Sequence, residues 1–143
     1  MFTGVDHIAI VVRDIQEALK VYRDALGLEV SEIKEVPDQG VQVAFLPMGE
    51  TRLELVQPTS EESGVARFLE KRGEGIHHIC LKVRDIEAAL KQLSKAGLKL
   101  IDEKPRIGIH GQKLAFVHPK SLCGVLLELY EEQEGVNYQE LGE

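Results

Sequence analysis

The strongest constraint on the fold of this chain is an internal repeat that extends over both halves of the sequence. Residues 4–20 (GVDHIAIVVRDIQEALK) align without gaps with residues 75–91 (GIHHICLKVRDIEAALK), and ten of the seventeen positions are identical. The similarity returns where RLELV at residues 52–56 aligns with LLELY at residues 126–130. Two copies of this length are too few for a solenoid, so the sequence predicts two related modules packed against each other.

Each repeat predicts the same order of secondary structure. The opening segment alternates and is rich in β-branched residues, which is typical of a strand. Asp14 and Asp85 are typical helix N-caps, and Gly27 and Gly97 are typical helix ends. In the first repeat the helix between them has an apolar stripe at helical spacing, formed by Ile15, Ala18, Leu19, Tyr22 and Leu26.

Three more strands are expected in each repeat, at residues 28–36, 41–47 and 51–57 and at residues 98–102, 113–118 and 124–130. We therefore predict an α+β fold of two tandem βαβββ modules that form a single domain over residues 1–143. The expected divisions are module 4–58, a connecting helix 59–74, module 75–131 and a polar C-terminal tail 132–143.

Strand alternation predicts which side chains share a face. Ile8, Ile10 and Val12 are expected to pack on the helix, which turns His7 to the opposite face, and the same pattern places His78 there in the second repeat. The leucines on either side of each glutamate likewise turn Glu54 and Glu128 to the histidine face. The two sheets would then enclose one cavity lined by all four side chains.

These four residues, His7, Glu54, His78 and Glu128, are the predicted metal ligands. A buried carboxylate between leucines is costly without a cation, and imidazole with carboxylate suits a divalent metal. Taken singly, a strand histidine is more often a core residue and such a glutamate more often exposed, but the matched positions favour a metal site. Asp6 and His77 are expected to point the other way, with a structural or hydrogen-bonding role.

Composition excludes several classes of protein. The chain is 43% hydrophobic and has a net charge of −7, which fits a folded domain and argues against nucleic acid as a partner. Neither a membrane-spanning apolar run nor a signal peptide is visible, and the two cysteines have no metal-type spacing, so a cytoplasmic protein without a membrane partner is expected. Five Lys or Arg and two acids lie between Lys99 and Lys120, which fits either a site for a small anion or a solvated loop.

Three segments resemble the vicinal oxygen chelate superfamily and, within it, the methylmalonyl-CoA epimerase family. They are DHIAIVVRDIQEALKVYRDALGLEV, GIHHICLKVRDIEAAL and HGQKLAFVHPKSLCGVLLELYE, and the resemblance extends over roughly Val5–Tyr130. It implies a glyoxalase fold, the same four ligands, and one divalent metal ion, with Co²⁺ favoured and Mn²⁺, Ni²⁺ or Zn²⁺ possible. It also implies an isomerase of propionate metabolism that interconverts (2R)- and (2S)-methylmalonyl-CoA through a metal-stabilised enolate, and a homodimer.

Epimerisation needs an acid/base on each side of the carbanion plane. Glu128 is the predicted catalytic residue on one side. Gln42 and Val43 stand where some relatives have a carboxylate, so the second group stays unidentified. The residues expected to bind the acyl-CoA substrate are Gln42, His110, Gly111, Gln112, Lys113, Lys120 and Ser121. Lys120 and Ser121 are explained equally well as a turn between two strands.

Three other functions fit parts of the same pattern. A glyoxalase I-type lactoylglutathione lyase would use the same metal face, and only the C-terminal motif argues against it. A metal-free small-molecule-binding protein would be expected to lack the ligands. A ring-cleaving dioxygenase would be expected to hold iron within one module, and ligands split between the modules argue against it.

Overall fold

The computed structural model describes residues 1–108 and 111–132 of the chain, and within them strands and helices follow one another in the expected α+β order. The strands are β1 Phe2–Val11, β2 Glu32–Val36, β3 Val41–Met48, β4 Thr51–Pro58, β5 Gly75–Val83, β6 Arg106–Ile107, β7 Lys113–Val117 and β8 Leu127–Glu131. The α-helices are α1 Ile15–Leu19, α2 Gly64–Arg72 and α3 Ile86–Lys95. In this part of the chain, none of the helices has the length and apolar character that crossing a membrane requires.

The chain divides into two compact units, which we name after their helices. The α1 unit contains Ile8–His77, and the α3 unit contains residues 1–7 together with the described chain from His78 onward. Strands follow the order β2-β3-β4-β1 in the α1 unit and β1-β5-β8-β7-β6 in the α3 unit. Strand β1 is named in both orders because its residues are divided between the two units after His7. The predicted single domain, its module boundaries and its enclosed cavity stay predictions.

In the α1 unit, one face of the strands is covered by the helix. Ile15 and Leu19 of α1 are fully buried in a cluster with Ala44, Leu46 and Leu55 from β3 and β4. The other face carries a second apolar cluster, formed by Ala9, Val41, Val43, Phe45 and Val56. Ile10 and Leu53 pack on the helix side, so the alternation predicted for β1 and β4 is confirmed.

In the α3 unit, the strand register sets which residues share a face. Strand β5 pairs in parallel with β8, where Cys80 lies opposite Glu128, and β8 pairs antiparallel with β7. Leu127 and Leu129 of β8 are buried against α3, as predicted. Since neighbouring strand residues alternate, Glu128 lies on the face away from α3, together with Cys80 and, two residues earlier in β5, His78.

The structure departs from the predicted elements in the first helix and in several strands. After Leu19 the chain continues as a π-helical turn, Lys20–Ala25, in which the amide of Leu26 donates to the carbonyl of Val21 at 2.9 Å. This wider turn rotates the later residues, so Leu26 is 61% exposed instead of joining the apolar stripe.

The other departures concern strands. Strand β8 begins at Leu127 rather than at residue 124, because a turn closed by the amide of Val125 and the carbonyl of Leu122 precedes it, and β6 at Arg106–Ile107 was not predicted.

Strand β2 begins at Glu32, because the amide of Leu28 still bonds back to Tyr22 at the end of the helical segment. Residues 98–102 make only an isolated bridge between Leu100 and Val117. The amides of the two residues after Leu100 both donate to the carbonyl of Phe116, which breaks a regular ladder.

Candidate active site

Three of the predicted ligands meet in the α3 unit. His7 Nε2 lies 3.1 Å from His78 Nε2 and 3.4 Å from Glu128 Oε1, and His78 Nε2 lies 3.0 Å from the same Glu128 oxygen. All three offer a ligand-type atom within 4.8 Å of the other two. They come from β1, β5 and β8, which are neighbours in the strand order of this unit.

Burial distinguishes this cluster from a surface group of polar side chains. His7 and Glu128 are 1% and 3% exposed, and the His78 side chain is 14% exposed. The His78 ring also packs edge-to-face on Phe116, with ring centroids 5.8 Å apart. Neighbouring protein therefore excludes most water from the three groups while His78 keeps partial contact with solvent.

The two imidazoles control the ionisation of the carboxylate. Burial alone would raise the pKa of Glu128, but hydrogen bonds and charge from His7 and His78 outweigh it and lower the pKa to about 2. Glu128 is therefore ionised at neutral pH. A depressed pKa makes this group a good ligand for a cation and a weak base.

Asp6 holds the outer side of the His7 ring. Its Oδ2 lies 2.8 Å from His7 Nδ1, and the carboxylate is only 2% exposed. The expectation of a hydrogen-bonding role for Asp6 is confirmed, but strand alternation had turned it away from His7. His77, the residue at the same position of the second repeat, packs instead on Phe68 with ring centroids 5.0 Å apart.

The chemistry of the cluster fits a divalent metal ion. Two imidazole nitrogens and one carboxylate oxygen are borderline-hard donors, and they converge from different strands on the buried face of a sheet. Asp6, His7 and Cys80 form a second group of ligand-type atoms, also within 4.8 Å of one another. The two groups share His7, whose Nδ1 faces Asp6 and whose Nε2 faces His78 and Glu128.

Glu54 is described with the α1 unit, and its role as a ligand stays a prediction. It lies on β4 opposite Phe45 of β3, on the face away from α1, as alternation predicted. Its Oε2 accepts a hydrogen bond from Arg52 Nε at 2.9 Å, and both side chains are nearly inaccessible to solvent. The Arg52 guanidinium also lies over the Phe45 ring, 5.7 Å from its centroid. Sequence analysis missed Arg52, although a cation two residues from a buried carboxylate was the available signal.

The predicted substrate-binding residues fall in several environments. His110 lies outside the described residues. Gly111 is exposed with φ 78°, a conformation that favours glycine, and Gln112 is buried. The amide of Gly108 donates to the Gln112 carbonyl at 2.7 Å, and a Cβ at Gly108 would clash with the Gln112 side chain. Glycine at 108 therefore permits the tight approach that keeps Gln112 buried.

On β7, Lys113 lies on the opposite face from Phe116, which pairs with Glu128 of β8. It donates to Glu87 of α3 at 3.0 Å, and that carboxylate raises the pKa of Lys113. Its predicted substrate contact is untested, but this position argues for a role in holding α3.

The remaining candidates lie in a turn and on a strand of the α1 unit. Lys120 is exposed in a 3-10 turn, Pro119–Ser121, and its amide donates to His118 Nδ1. Ser121 Oγ accepts from the amide of Lys99 at 2.7 Å, which agrees with the turn that the sequence offered as an alternative. Gln42 is half-buried on β3 and paired with Gln57 of β4.

The fold and the metal-type cluster define a class of protein. A family model described as the Glyoxalase/Bleomycin resistance protein/Dioxygenase superfamily matches residues 6–116. An ethylmalonyl-CoA/methylmalonyl-CoA epimerase of Cereibacter sphaeroides is 44% identical over 131 residues, which cover 90% of this chain and 98% of that protein. The human mitochondrial methylmalonyl-CoA epimerase is 42% identical over 125 residues, 87% of this chain and 71% of the human protein.

A solved structure gives the same result. A variant of Streptomyces coelicolor methylmalonyl-CoA epimerase in complex with 2-nitronate-propionyl-CoA superposes with a TM-score of 0.83 at 34% identity, covering 94% of this chain and 97% of that one. The chain therefore belongs to the methylmalonyl-CoA epimerase family of this superfamily.

Proposed function

We propose that this chain interconverts (2R)- and (2S)-methylmalonyl-CoA by removing the α-proton and returning it to the opposite face. The observation that carries the proposal is the meeting of His7 Nε2, His78 Nε2 and Glu128 Oε1, with separations of 3.0–3.4 Å, at matched positions of a duplicated module. Relatives at 42–44% identity are named as epimerases of this substrate, which supports the same reaction here.

His7, His78 and Glu128 are the residues that would hold a divalent ion, and Glu54 is proposed as the fourth ligand. Co²⁺ is the favoured ion, with Mn²⁺, Ni²⁺ or Zn²⁺ as substitutes, since imidazole and carboxylate accept all of them. When bound, such an ion supplies Lewis-acid stabilisation of the negative charge that develops on the substrate oxygen as the α-proton leaves. The buried position of the ligands strengthens this electrostatic effect.

Glu128 is the proposed acid/base on one face of the substrate. Its carboxylate is ionised at neutral pH, so an oxygen of this group is free of a proton and can accept one. The depressed pKa makes Glu128 a weak base, and it therefore depends on a substrate C–H already acidified by the thioester and carboxylate beside it. Gln42 and Val43 carry no base, so the second acid/base is not assigned to either.

Substrate binding is proposed to involve the glycine-containing segment before β7 and the turn after it. Gly111 and Lys120 are exposed and available to the anionic parts of an acyl-CoA. His110 and Gln42 stay candidates for contact with the acyl group. Gln112 and Ser121 act through the backbone positions that their hydrogen bonds hold, whereas Lys113 is engaged with Glu87.

Deuterium exchange tests the proposal directly. The protein, loaded with Co²⁺, is incubated with (2S)-methylmalonyl-CoA in D₂O, and the α-carbon is followed by NMR with and without a chelator. We expect deuterium at the α-carbon together with loss of optical purity, and we expect chelation to stop both. Retention of the α-hydrogen in the loaded protein would reject the proposal.

The same preparation separates the alternatives. A glyoxalase I-type lyase would convert the hemithioacetal of methylglyoxal and glutathione and leave methylmalonyl-CoA unchanged. A metal-free binding protein would retain no metal after dialysis and would exchange no α-hydrogen. Either result would replace the epimerase assignment.

A homodimer, a cytoplasmic location and a place in propionate metabolism are further parts of the proposal. The dimer and the metabolic role follow from the resemblance to the epimerase family. A cytoplasmic location agrees with the bacterial relative, whereas the human relative is named as mitochondrial. Sedimentation equilibrium of the purified protein tests the dimer: a mass near twice 15.9 kDa is expected, and a single-chain mass at all concentrations would contradict it.

A further inference from the structure

The contact between Asp6 and His7 has a role that the reaction above does not assign. A buried carboxylate persists in a protein only where donors replace its lost water. At Asp6, one such donor is His7 Nδ1, 2.8 Å from Oδ2, in a place where both side chains are at most 2% exposed. The geometry therefore favours the His7 tautomer in which Nδ1 carries the proton.

In that tautomer Nε2 carries a lone pair and can act as a metal ligand. Nε2 is the atom of His7 that lies 3.1 Å from His78 Nε2 and 3.4 Å from Glu128 Oε1. The Asp6 contact thus fixes both the proton and the ring orientation of the His7 side chain on the side away from the cluster.

The second repeat places a different residue before its histidine. His77 stands at the position equivalent to Asp6, and its ring packs on Phe68. The ring of His78 is packed edge-to-face on Phe116 instead. Asp6 thus contacts His7 from a position that the second repeat fills with a different residue.

We infer that Asp6 is a positioning residue that holds the His7 ring ready to bind a divalent metal ion through Nε2. The inference rests on the metal site of the proposed function. Asp6 acts through His7: it holds the ring so that Nε2 faces the cluster, and it does not itself contact the substrate.

The test compares Co²⁺ affinity among variants at position 6. Dissociation constants are measured by competition with a chromophoric chelator for the wild type, Asp6→Ala, Asp6→Asn and Asp6→His. Loss of an outer-sphere carboxylate typically weakens metal binding by about 10–100-fold, and we expect this range for Asp6→Ala and Asp6→His. Asp6→Asn is expected to recover most of the affinity, because its amide oxygen accepts the same hydrogen bond.

Two further readouts separate positioning from general damage to the fold. With saturating Co²⁺, Asp6→Ala should recover most of its kcat, and its visible Co²⁺ absorption bands should differ from those of the wild type. Asp85→Ala is the matched control, since it removes an aspartate from the same unit that caps α3 through the amide of Ala88. This control should lower Tm without changing the Co²⁺ dissociation constant.

The outcomes distinguish this inference from the proposed function. Equal Co²⁺ affinity in the wild type, Asp6→Ala and Asp6→His would overturn the inference and leave the epimerase proposal standing. A wild-type protein that does not bind Co²⁺ would overturn both. Should Asp6→Ala fail to fold, Asp6→His against Asp6→Asn decides: loss in the first and recovery in the second support positioning, and equal affinities oppose it.

Discussion

The two repeats carry the same histidine and the same glutamate but surround them differently. Asp6 precedes His7, whereas His77 precedes His78; Arg52 stands two residues before Glu54, whereas Leu126 stands two residues before Glu128. Asp6 contacts the His7 ring, and Arg52 donates to Glu54.

The two repeats keep the same strand pattern but differ in the polar groups around their candidate ligands. The strand patterns that aim the histidine and the glutamate away from the helix are the same in both copies. The polar groups around each glutamate are not the same: Glu54 is paired with an arginine, whereas Glu128 lies 3.0–3.4 Å from two imidazole nitrogens. A symmetric gene duplication has therefore produced an electrostatically asymmetric set of candidate ligands.

The largest effect is expected from removing either histidine. His78→Ala and His7→Ala should each abolish metal retention and lower kcat/KM by about a thousandfold or more, since Lewis-acid stabilisation contributes several kcal/mol. Metal content by atomic emission and the D₂O exchange assay measure the two losses. Normal racemisation of the α-carbon by His78→Ala would show that the site assignment is wrong.

Glu128→Gln sharpens the comparison between the two glutamates. We expect turnover to fall by about 10²–10⁴-fold, the range for loss of a positioned acid/base, because Gln cannot carry the proton. Glu54→Gln, which leaves a neutral oxygen ligand, should lose far less. Measured kcat values for the pair check this, and equal losses would remove the distinction between Glu128 and Glu54.

Arg52→Met tests the buried ion pair that distinguishes the α1 unit. Breaking such a pair by removing one partner leaves an uncompensated charge, so the free energy of unfolding should fall by about 3–5 kcal/mol. Urea denaturation of the metal-free protein measures it. The double variant Arg52→Met/Glu54→Gln should regain part of the loss, and a double variant as unstable as the sum of both single changes would argue against direct coupling.

The smallest effect concerns the two helix caps. Asp14 accepts from the amides of Gln16 and Glu17, whereas Asp85 accepts from the amide of Ala88 alone. Replacing either by Ala should lower the free energy of unfolding by about 1 kcal/mol, with the larger loss at Asp14. Chemical denaturation at constant metal content ranks them, and the reverse order would show that hydrogen-bond number does not determine cap strength here.

Much of the fold and part of the candidate site follow from the sequence. Period-two alternation and the leucines flanking Glu128 were enough to place that glutamate on the face of His78, because strand geometry leaves only two faces. Leu26 was misplaced, since a 3.6-residue period cannot anticipate a π-helical turn. The segment at 98–102 was predicted as a strand because propensity does not show that two amides share one carbonyl.

The contacts that tune the site were harder to predict. Alternation put Asp6 and His7 on opposite faces, yet their side chains meet at 2.8 Å. Such contacts depend on local backbone twist and side-chain reach, which a pattern of apolar and polar residues does not encode. Lys113 shows the converse: its charge suggested an anion site, and only the register of β7 reveals that it faces α3.

The three clustered side chains are far apart along the chain, which determines when the cluster can form during synthesis and folding. His7, His78 and Glu128 are separated by 71 and 50 positions along the chain, and the parallel pairing of β5 with β8 closes a long loop before the last of them is in place. Contacts of such long range form late in folding. Metal binding should therefore depend on the completed topology, so a nascent or truncated polypeptide that ends before β8 should be unable to hold a divalent ion at this cluster.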